Sequence, residues 1–262
     1  MTVKKISPPL DNAPLIEMVD AAIAPVRLEG VEVEGVNWRV MAGDFWVVAG
    51  LFGSGKSDFL ATAGGLQRPA RGCVKLLGHE TFTLDEEKLV EHRRRIGMVF
   101  SSSGRLFNRL TIAENVALPV RYHHNWTEAE AEEPVREILE VTGLIPFAQE
   151  IPSALSPNWQ HRAGLARALV LKPEILLLDK PLTGMDFRHQ RWTLEFLAKL
   201  SEGVVGGRPF TIVATADNIE PWKDVAKQFA LLKNNRWQEI GGRTELASSS
   251  EALLQEVWTE NI

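Results

Sequence analysis

The chain has 262 residues, a length that suits one large domain or a core with a smaller lobe. Hydrophobic residues make up 45% of it and charged residues 24%, and the formal net charge of -5 excludes a general basic surface for nucleic acid. The single cysteine, Cys73, excludes an internal disulfide framework, and no uncharged apolar stretch reaches the roughly 20 residues that cross a bilayer. These features predict a cytoplasmic protein that reaches a membrane only through a partner.

Strand-like and helical segments alternate along the chain. Short apolar runs predicted as strands lie at 15–19, 31–33, 45–49, 96–100, 175–178 and 210–214. The run at 45–49 has no polar residue, as in strands buried on both faces of a parallel sheet. Helical character begins at Asp58 and dominates between the fourth and fifth strands. The alternation predicts an α/β sheet covered by helices.

A helical lobe is predicted within the α/β core. Thr127 and Glu130 form a capping-box pattern ahead of an amphipathic run that ends at Val141. The acidic residues around Glu130 are expected to form a solvated face near a helix N-terminus. We expect a single domain over 1–262 with a core at 12–102 and 160–243, a helical insert at 103–159 and a C-terminal helical tail at 244–262.

The most specific motif follows the strand at 45–49. It is the run Gly50-Leu51-Phe52-Gly53-Ser54-Gly55-Lys56-Ser57, which matches the P-loop pattern of glycine, four residues, glycine, lysine and serine. Glycines let backbone N–H groups curl around phosphate oxygens without obstruction from side chains. Lys56 is expected to reach the β- and γ-phosphates, and the Ser57 hydroxyl to coordinate Mg²⁺. The motif therefore predicts phosphate binding at the start of a helix.

Downstream segments in a fixed order give the chain a family resemblance. They lie at 94–100, 155–156, 162–169, 175–179, 182–186 and 232–236. Together with the P-loop they resemble the ATP-binding subunits of ABC transporters. The resemblance implies a P-loop NTPase core with a RecA-like mixed and parallel sheet, flanking helices, an N-terminal antiparallel β region and an inserted α-helical subdomain. The stretch at 106–120 is also similar to ATPases of lipid transporters that work with MCE-domain proteins.

The resemblance also implies ligands and partners. ATP is expected with Mg²⁺, and the metal would be held by Ser57 and Asp179. In the family, two such domains dimerise head to tail, and each nucleotide lies between one domain's P-loop and the other's signature segment. The expected partners are transmembrane permease subunits and a second nucleotide-binding domain, identical or different, on the cytoplasmic face of the membrane. The residues expected to contact nucleotide are Gly50, Leu51, Phe52, Gly53, Ser54, Gly55, Lys56, Ser57, Asp58, Ser156 and Asp186.

The sequence departs from the family pattern at the catalytic positions. Lys180 stands where a glutamate polarises the attacking water, Ala216 replaces the switch histidine, and Ser101 replaces the glutamine. A protonated lysine cannot accept a proton from water, and losing a positioned base costs roughly 10²–10⁴ in rate. After Ser156 the signature segment has Pro157-Asn158-Trp159, so one backbone donor is lost and a bulky indole replaces a glutamine. These changes predict weak or absent hydrolysis.

Further residues suggest how a nucleotide or a partner would be held. Asp58 takes the place of a threonine beside the α-phosphate, where its carboxylate either repels the phosphate or points away into solvent. Residues 22–26 include no aromatic ring to stack on adenine, and Trp38 and Phe52 are candidates to replace it. Three tryptophans in polar surroundings are candidates for partner contact: Trp126, Trp159 and Trp222.

The remaining charged residues and histidines suggest no additional site. The basic run at 93–95 is expected to be solvated or to pair with the acidic residues at 85–87. The six histidines lack the spacing of metal ligands.

Three hypotheses follow from these patterns. The first is a transporter subunit that binds ATP and dimerises but hydrolyses ATP slowly or not at all. The second is an active ATPase with an alternative base, such as Asp186 or a residue of its partner. The third is a scaffold with a vestigial nucleotide site. The retained Lys56, Ser57 and Asp179 favour nucleotide binding, and measured turnover separates the first two hypotheses.

Overall fold

The computed structural model describes residues 13–26, 32–101 and 105–248. Within them, the strands are β1 (Ile16–Ile23), β2 (Val33–Val40), β3 (Phe45–Ala49), β4 (Arg71–Leu76), β5 (His79–Glu80), β6 (Ile96–Val99), β7 (Ile175–Leu178), β8 (Thr211–Ala216), β9 (Gln228–Lys233) and β10 (Arg236–Gly241). The helices are α1 (Lys56–Ala63), α2 (Glu86–Arg94), α3 (Ile112–His124), α4 (Glu128–Val141), α5 (Pro157–Leu169), α6 (Phe187–Ser201) and α7 (Arg243–Ser248). None of these helices has the length and apolar character needed to span a membrane.

The strands form one sheet with a parallel half and an antiparallel half. Their order is β5-β4-β1-β2-β10-β9-β3-β8-β7-β6. β3 is parallel to both of its neighbours, β9 and β8, and β7 and β6 continue the parallel set. β1 is antiparallel to β2 and β4, and β4 is antiparallel to β5. The prediction of an α/β fold with an N-terminal antiparallel region is therefore confirmed.

The apolar strand β3 lies between two hydrophobic layers. All five of its residues are buried, and alternate side chains join opposite layers of the core. In one layer, Phe59 of α1 packs against Trp38 and Trp237, with ring centroids 5.2 Å away in each case. These contacts fasten α1, the helix that follows the glycine-rich loop, to β2 and β10.

Helices α3, α4 and part of α5 pack together as the predicted helical lobe, around buried residues such as Val116 and Leu139. The predicted capping box of Thr127 and Glu130 is confirmed at the start of α4. A second capping box, Thr111 with Glu114, begins α3. Each box satisfies backbone N–H groups that have no partner within the helix, so both helix starts are fixed by local sequence.

Helix α5 crosses the predicted boundary between insert and core at 160. Its residues Ala163 and Ala166 pack in the helical lobe, whereas Leu165 and Leu169 join the core beneath the parallel strands. The helix is shared by both parts, and the division at 160 stays a prediction. The boundary at 102–103 and most of the predicted C-terminal tail, 249–262, lie outside the described residues.

Two expectations about surface residues are wrong. In the basic run, Arg95 makes a bidentate pair with Glu174, with nitrogen–oxygen distances of 2.6 and 2.8 Å. The acids at 85–87 lie at the opposite end of α2, about 12 Å along the helix axis, and are too far to compete. Trp222 is buried in the core beside Phe45, so it is not exposed for contact with a partner.

Candidate functional site

The carboxyl ends of four parallel strands meet at one edge of the sheet. The glycine-rich loop follows β3, and Asp179 and Asp217 follow β7 and β8. Ser101 lies just beyond β6 and is partly buried. The Gly50 N–H donates to the Ala216 carbonyl at 3.2 Å, and the Asp179 N–H donates to the last carbonyl of β6 at 2.9 Å. The topology thus collects residues from distant parts of the sequence beside the loop.

The loop conformation explains why glycines are needed. Gly53 and Gly55 have φ angles of 82° and 85°, a region that residues with a Cβ rarely adopt. A Cβ on Gly50 would lie 2.6 Å from Ser54 Oγ and 2.7 Å from the Leu232 carbonyl oxygen. Gly55 is also the N-cap residue of α1. The loop therefore turns directly into a helix N-terminus, as phosphate-binding loops do.

Lys56 is folded into the loop and has only 1% of its side chain exposed. Its ammonium donates to the carbonyl oxygens of Gly50 and Leu51 at 2.5 and 2.7 Å and to Ser54 Oγ at 3.2 Å. Asp217 Oδ1 is 3.0 Å from the same ammonium. Burial lowers the pKa of Lys56, and the Asp217 carboxylate opposes this shift. Asp217 thus offsets part of the positive charge of Lys56, and the loop carbonyls hold its ammonium at the centre of the loop.

Ser57 and Asp179, the two predicted Mg²⁺ ligands, are in direct contact. The Ser57 hydroxyl donates to Asp179 Oδ2 at 2.9 Å. Thr215 Oγ1 donates to the other carboxylate oxygen, also at 2.9 Å, and thereby fixes its orientation. A hydroxyl beside a carboxylate is an all-oxygen donor pair of the kind that Mg²⁺ prefers. The residues therefore fit the metal that the sequence predicts.

Lys180 faces the same edge of the sheet. It has a left-handed φ of 47°, and its N–H donates to Thr215 Oγ1 at 2.9 Å. Its ammonium lies 3.0 Å from Asp217 Oδ1, the oxygen that Lys56 also contacts, and 5.0 Å from the centroid of the Phe52 ring. Although burial raises the pKa of Asp217, the two lysines hold it below its ordinary value. The arrangement is a carboxylate shared by two cations.

Comparison with known proteins identifies the family of this site. A family model described as ABC transporter matches residues 33–183, which is more than half of the chain. The chain belongs to the ABC transporter family. The methionine import ATP-binding protein MetN of Lacticaseibacillus paracasei is 32% identical over 247 residues, which cover 90% of this chain and 69% of that protein. MetN of Bifidobacterium longum is 33% identical over 209 residues, which cover 80% and 51%. The chain thus spans about half the length of some curated relatives that it matches.

Solved ABC structures share the fold. The ATP-binding cassette MJ0796, in a dimeric post-hydrolysis state bound to ADP and Pi, gives a TM-score of 0.75 at 28% identity, covering 87% of this chain and 99% of that chain. CbiO1 of Clostridium perfringens, part of the ABC transporter complex cbiONQ, gives a TM-score of 0.77 at 20% identity, covering 93% and 94%. The second likeness shows the fold alone.

The signature segment of this chain carries Trp159 in the first turn of α5. Ser156 is exposed at the N-terminus of α5, followed by Pro157 in the first turn. The Arg162 guanidinium lies 4.4 Å from the ring centroid of Trp159 and 3.5 Å from that of Trp192. Burial lowers the pKa of Arg162 to about 10. The indole at the glutamine position is therefore held by its own chain through cation–π contacts.

Asp186, a predicted nucleotide contact, caps helix α6. Its carboxylate accepts hydrogen bonds from the His189 N–H at 3.0 Å and from Asn158 Nδ2 at 2.6 Å. The His189 ring nitrogen Nδ1 also lies 2.9 Å from Asp186 Oδ2, and the two hydrogen bonds with His189 lower the pKa of Asp186. The partners lie on α5 and α6 rather than on the P-loop, so Asp186 connects the segment 182–186 to the signature segment of the same chain.

The structure places the three residues considered for the α-phosphate and adenine in different surroundings. Asp58 Oδ1 accepts a hydrogen bond at the surface from the Val26 N–H at 3.5 Å, so its carboxylate points toward the segment that follows β1. Trp38 is wrong as an adenine platform because it is buried in the core. Phe52 is 92% exposed on the loop and remains a candidate.

The functional residues that sequence reasoning missed are Asp217 and Thr215. In the sequence this segment is marked only by Ala216 at the position of the switch histidine. The available signal was their position directly after a buried apolar strand, where side chains of parallel sheets meet at a common edge. However, the pairing of β8 with β3 is a long-range contact, and the local sequence does not predict it.

Proposed function

We propose that this ATP-binding subunit holds Mg-ATP at the loop of residues 50–57 and dimerises with a second cassette, while hydrolysing ATP slowly or not at all. The observation that carries the proposal is the Lys180 ammonium, which contacts Asp217 where family members have a catalytic glutamate. A protonated lysine cannot accept the proton of an attacking water, and the loss of a positioned base costs roughly 10²–10⁴ in rate. Ala216 has no imidazole to contribute.

Nucleotide binding is supported by the parts of the site that are retained. The loop backbone is shaped to surround phosphate oxygens, and Lys56 supplies a cation at its centre. Ser57 and Asp179 lie together as ligands for Mg²⁺. The metal bound there would offset the negative charge of the phosphates. Binding and hydrolysis are therefore separable in this site, because different residues carry them.

The proposed partners are transmembrane permease subunits and a second nucleotide-binding domain on the cytoplasmic face of a membrane. Support comes from the relatives named as import ATP-binding proteins and from the dimeric MJ0796 structure. The transported substrate stays a prediction. The relatives' names point to methionine, whereas the stretch at 106–120 resembles ATPases of lipid transporters.

The decisive experiment measures binding and turnover in the same samples. A fluorescent ATP analogue is titrated with Mg²⁺ against the wild type, Lys56→Ala and the surface control Lys172→Ala, and phosphate release is assayed in parallel. We expect saturable binding by the wild type and Lys172→Ala, loss of binding in Lys56→Ala, and no phosphate release above the Lys56→Ala background. Lysine-dependent release would refute weak hydrolysis, and no binding by the wild type would favour the vestigial scaffold.

The relatives, which are named as import ATP-binding proteins, also favour an active ATPase with a non-standard base. Of the two predicted sources of a base, Asp186 and a residue of the partner, Asp186 is the one in this chain. Its carboxylate caps α6 and its pKa is lowered, which makes it a weak base. The variant Asp186→Asn tests this function in the same assay. If the wild type releases phosphate and Asp186→Asn does not, the alternative replaces the proposal.

A further inference from the structure

Two ammonium groups converge on one anionic oxygen beside the phosphate loop. Lys56 Nζ and Lys180 Nζ each lie 3.0 Å from Asp217 Oδ1, so they are at most about 6 Å apart. Lys180 has 15% of its side chain exposed, so both cations are largely shielded from water. The Asp179 carboxylate also acts on Lys56, but its two oxygens accept hydrogen bonds from Ser57 and Thr215. The oxygen that the two ammonium groups share is therefore Asp217 Oδ1. This geometry is that of a binding site for an anionic oxygen.

Several contacts fix the direction of the Lys180 side chain. Its N–H donates to Thr215 Oγ1, which in turn donates to Asp179 Oδ1, so the backbone is joined to the predicted metal ligand. The Phe52 ring covers the ammonium from the loop side at 5.0 Å. A lysine on a free surface would lose rotamer entropy on binding an anion, whereas this one is already oriented.

We propose that Lys180 is a ligand of the terminal phosphate of a nucleoside triphosphate, so that the site prefers triphosphate over diphosphate. The inference rests on the proposed binding of nucleotide to the P-loop. Loop backbone N–H groups surround the inner phosphates, and Lys56 reaches the outer ones. Lys180 lies outside the loop and shares the oxygen Asp217 Oδ1 with Lys56. It is therefore placed to contact the terminal phosphate. A phosphate oxygen takes the place of Asp217 Oδ1 between the two ammonium groups.

The residue at the glutamate position thus changes its role. A carboxylate at this position repels the terminal phosphate, whereas the Lys180 ammonium attracts it. The lysine adds affinity for the triphosphate without supplying a base, which is consistent with a subunit that retains ATP.

The proposal is tested by isothermal titration calorimetry with Mg-ATP and Mg-ADP on the full chain. The variants are Lys180→Met, Lys180→Arg and the control Lys172→Met, which also has a left-handed backbone (φ 51°) and an acidic partner, Glu137. We expect Lys180→Met to weaken ATP binding about tenfold, the ratio that one charge-assisted hydrogen bond supplies, with ADP binding unchanged within about twofold. Lys180→Arg keeps most of the preference, and Lys172→Met keeps all of it.

A second pair of variants separates direct contact from an effect through Asp217. If Lys180 only draws Asp217 away from Lys56, then Asp217→Asn will restore ATP affinity to Lys180→Met. If Lys180 contacts the phosphate, the double variant will remain weaker for ATP than Asp217→Asn alone. Equal losses of ATP and ADP affinity in Lys180→Met, or full rescue by Asp217→Asn, would overturn the inference. Absence of any nucleotide binding by the wild type would overturn the proposed function, and this inference with it.

Discussion

Asn115 on α3 provides the sharpest test of how the helical lobe is held together. The side chain is fully buried and binds the preceding loop through its whole amide. Its Oδ1 accepts from the Phe107 N–H at 2.8 Å, and its Nδ2 donates to the carbonyl oxygens of Leu110 and Thr111 at 3.1 and 2.9 Å. We expect Asn115→Ala to unfold far more readily than any surface asparagine variant.

The expected cost follows from the groups that lose their partner. Removing the amide leaves the Phe107 N–H without its acceptor, and a buried unsatisfied donor costs about 1–3 kcal/mol. The bonds donated by Nδ2 contribute about 1 kcal/mol more in net terms, and the cavity adds to this. The free energy of unfolding should therefore fall by about 3 kcal/mol. Asn115→Asp should be at least as unstable near neutral pH, because it turns a carboxylate toward carbonyl oxygens.

Urea unfolding followed by circular dichroism measures these differences, with equal m-values as the check that the transition remains comparable. The matched control is Asn37→Ala, since Asn37 is exposed and accepts one backbone hydrogen bond, from Asp20 at 3.0 Å. A loss in Asn115→Ala of less than about 1 kcal/mol, or no greater than that of the control, would refute the reasoning.

Two further predictions concern the pH dependence and the core. Burial lowers the pKa of His161 below its ordinary 6.5, so the stability that its neutral form contributes is present above pH 6.5 and is lost as the pH falls through the folded-state value. Urea unfolding should show a smaller decline below pH 6.5 in His161→Gln than in the wild type, and equal declines would contradict this. Trp222→Ala should lose about 3–5 kcal/mol by thermal unfolding, whereas the partly buried Trp126→Ala loses less; similar losses would contradict the assigned burial.

The features predictable from sequence are those that a few consecutive residues determine. The glycines at 50, 53 and 55, the buried strand before them and the capping box of Thr127 and Glu130 are local patterns, and all are found in the structure. Thr111 and Glu114 carry the same local signal, which was available but missed. The lysine at the glutamate position was also predictable, because Lys180 lies two residues after Leu178, where the strand ends.

What could not be predicted depends on which strands and helices become neighbours. Asp217 lies near Lys56 only because β8 pairs with β3, a contact between segments about 160 residues apart in sequence. Trp222 has polar neighbours in sequence, so local composition gives no sign that it enters the core. Trp38, by contrast, alternates with polar residues between Val36 and Val40, a strand signal that was available but missed. Arg95 pairs with Glu174 rather than with the acids at 85–87 because β6, which follows Arg95, pairs with β7, which follows Glu174. The two residues are therefore neighbours at the start of paired strands.

The stack of Phe59, Trp38 and Trp237 has a consequence for the thermodynamics of binding. These ring contacts hold α1, the helix that follows the phosphate loop, against the sheet in the unliganded protein. The end of the loop that joins α1 is therefore already ordered. The conformational entropy of this helix is lost when the protein folds and not when a ligand binds. A helix that is fixed before binding presents its N-terminus to a phosphate without further ordering, so the entropy cost of association is smaller.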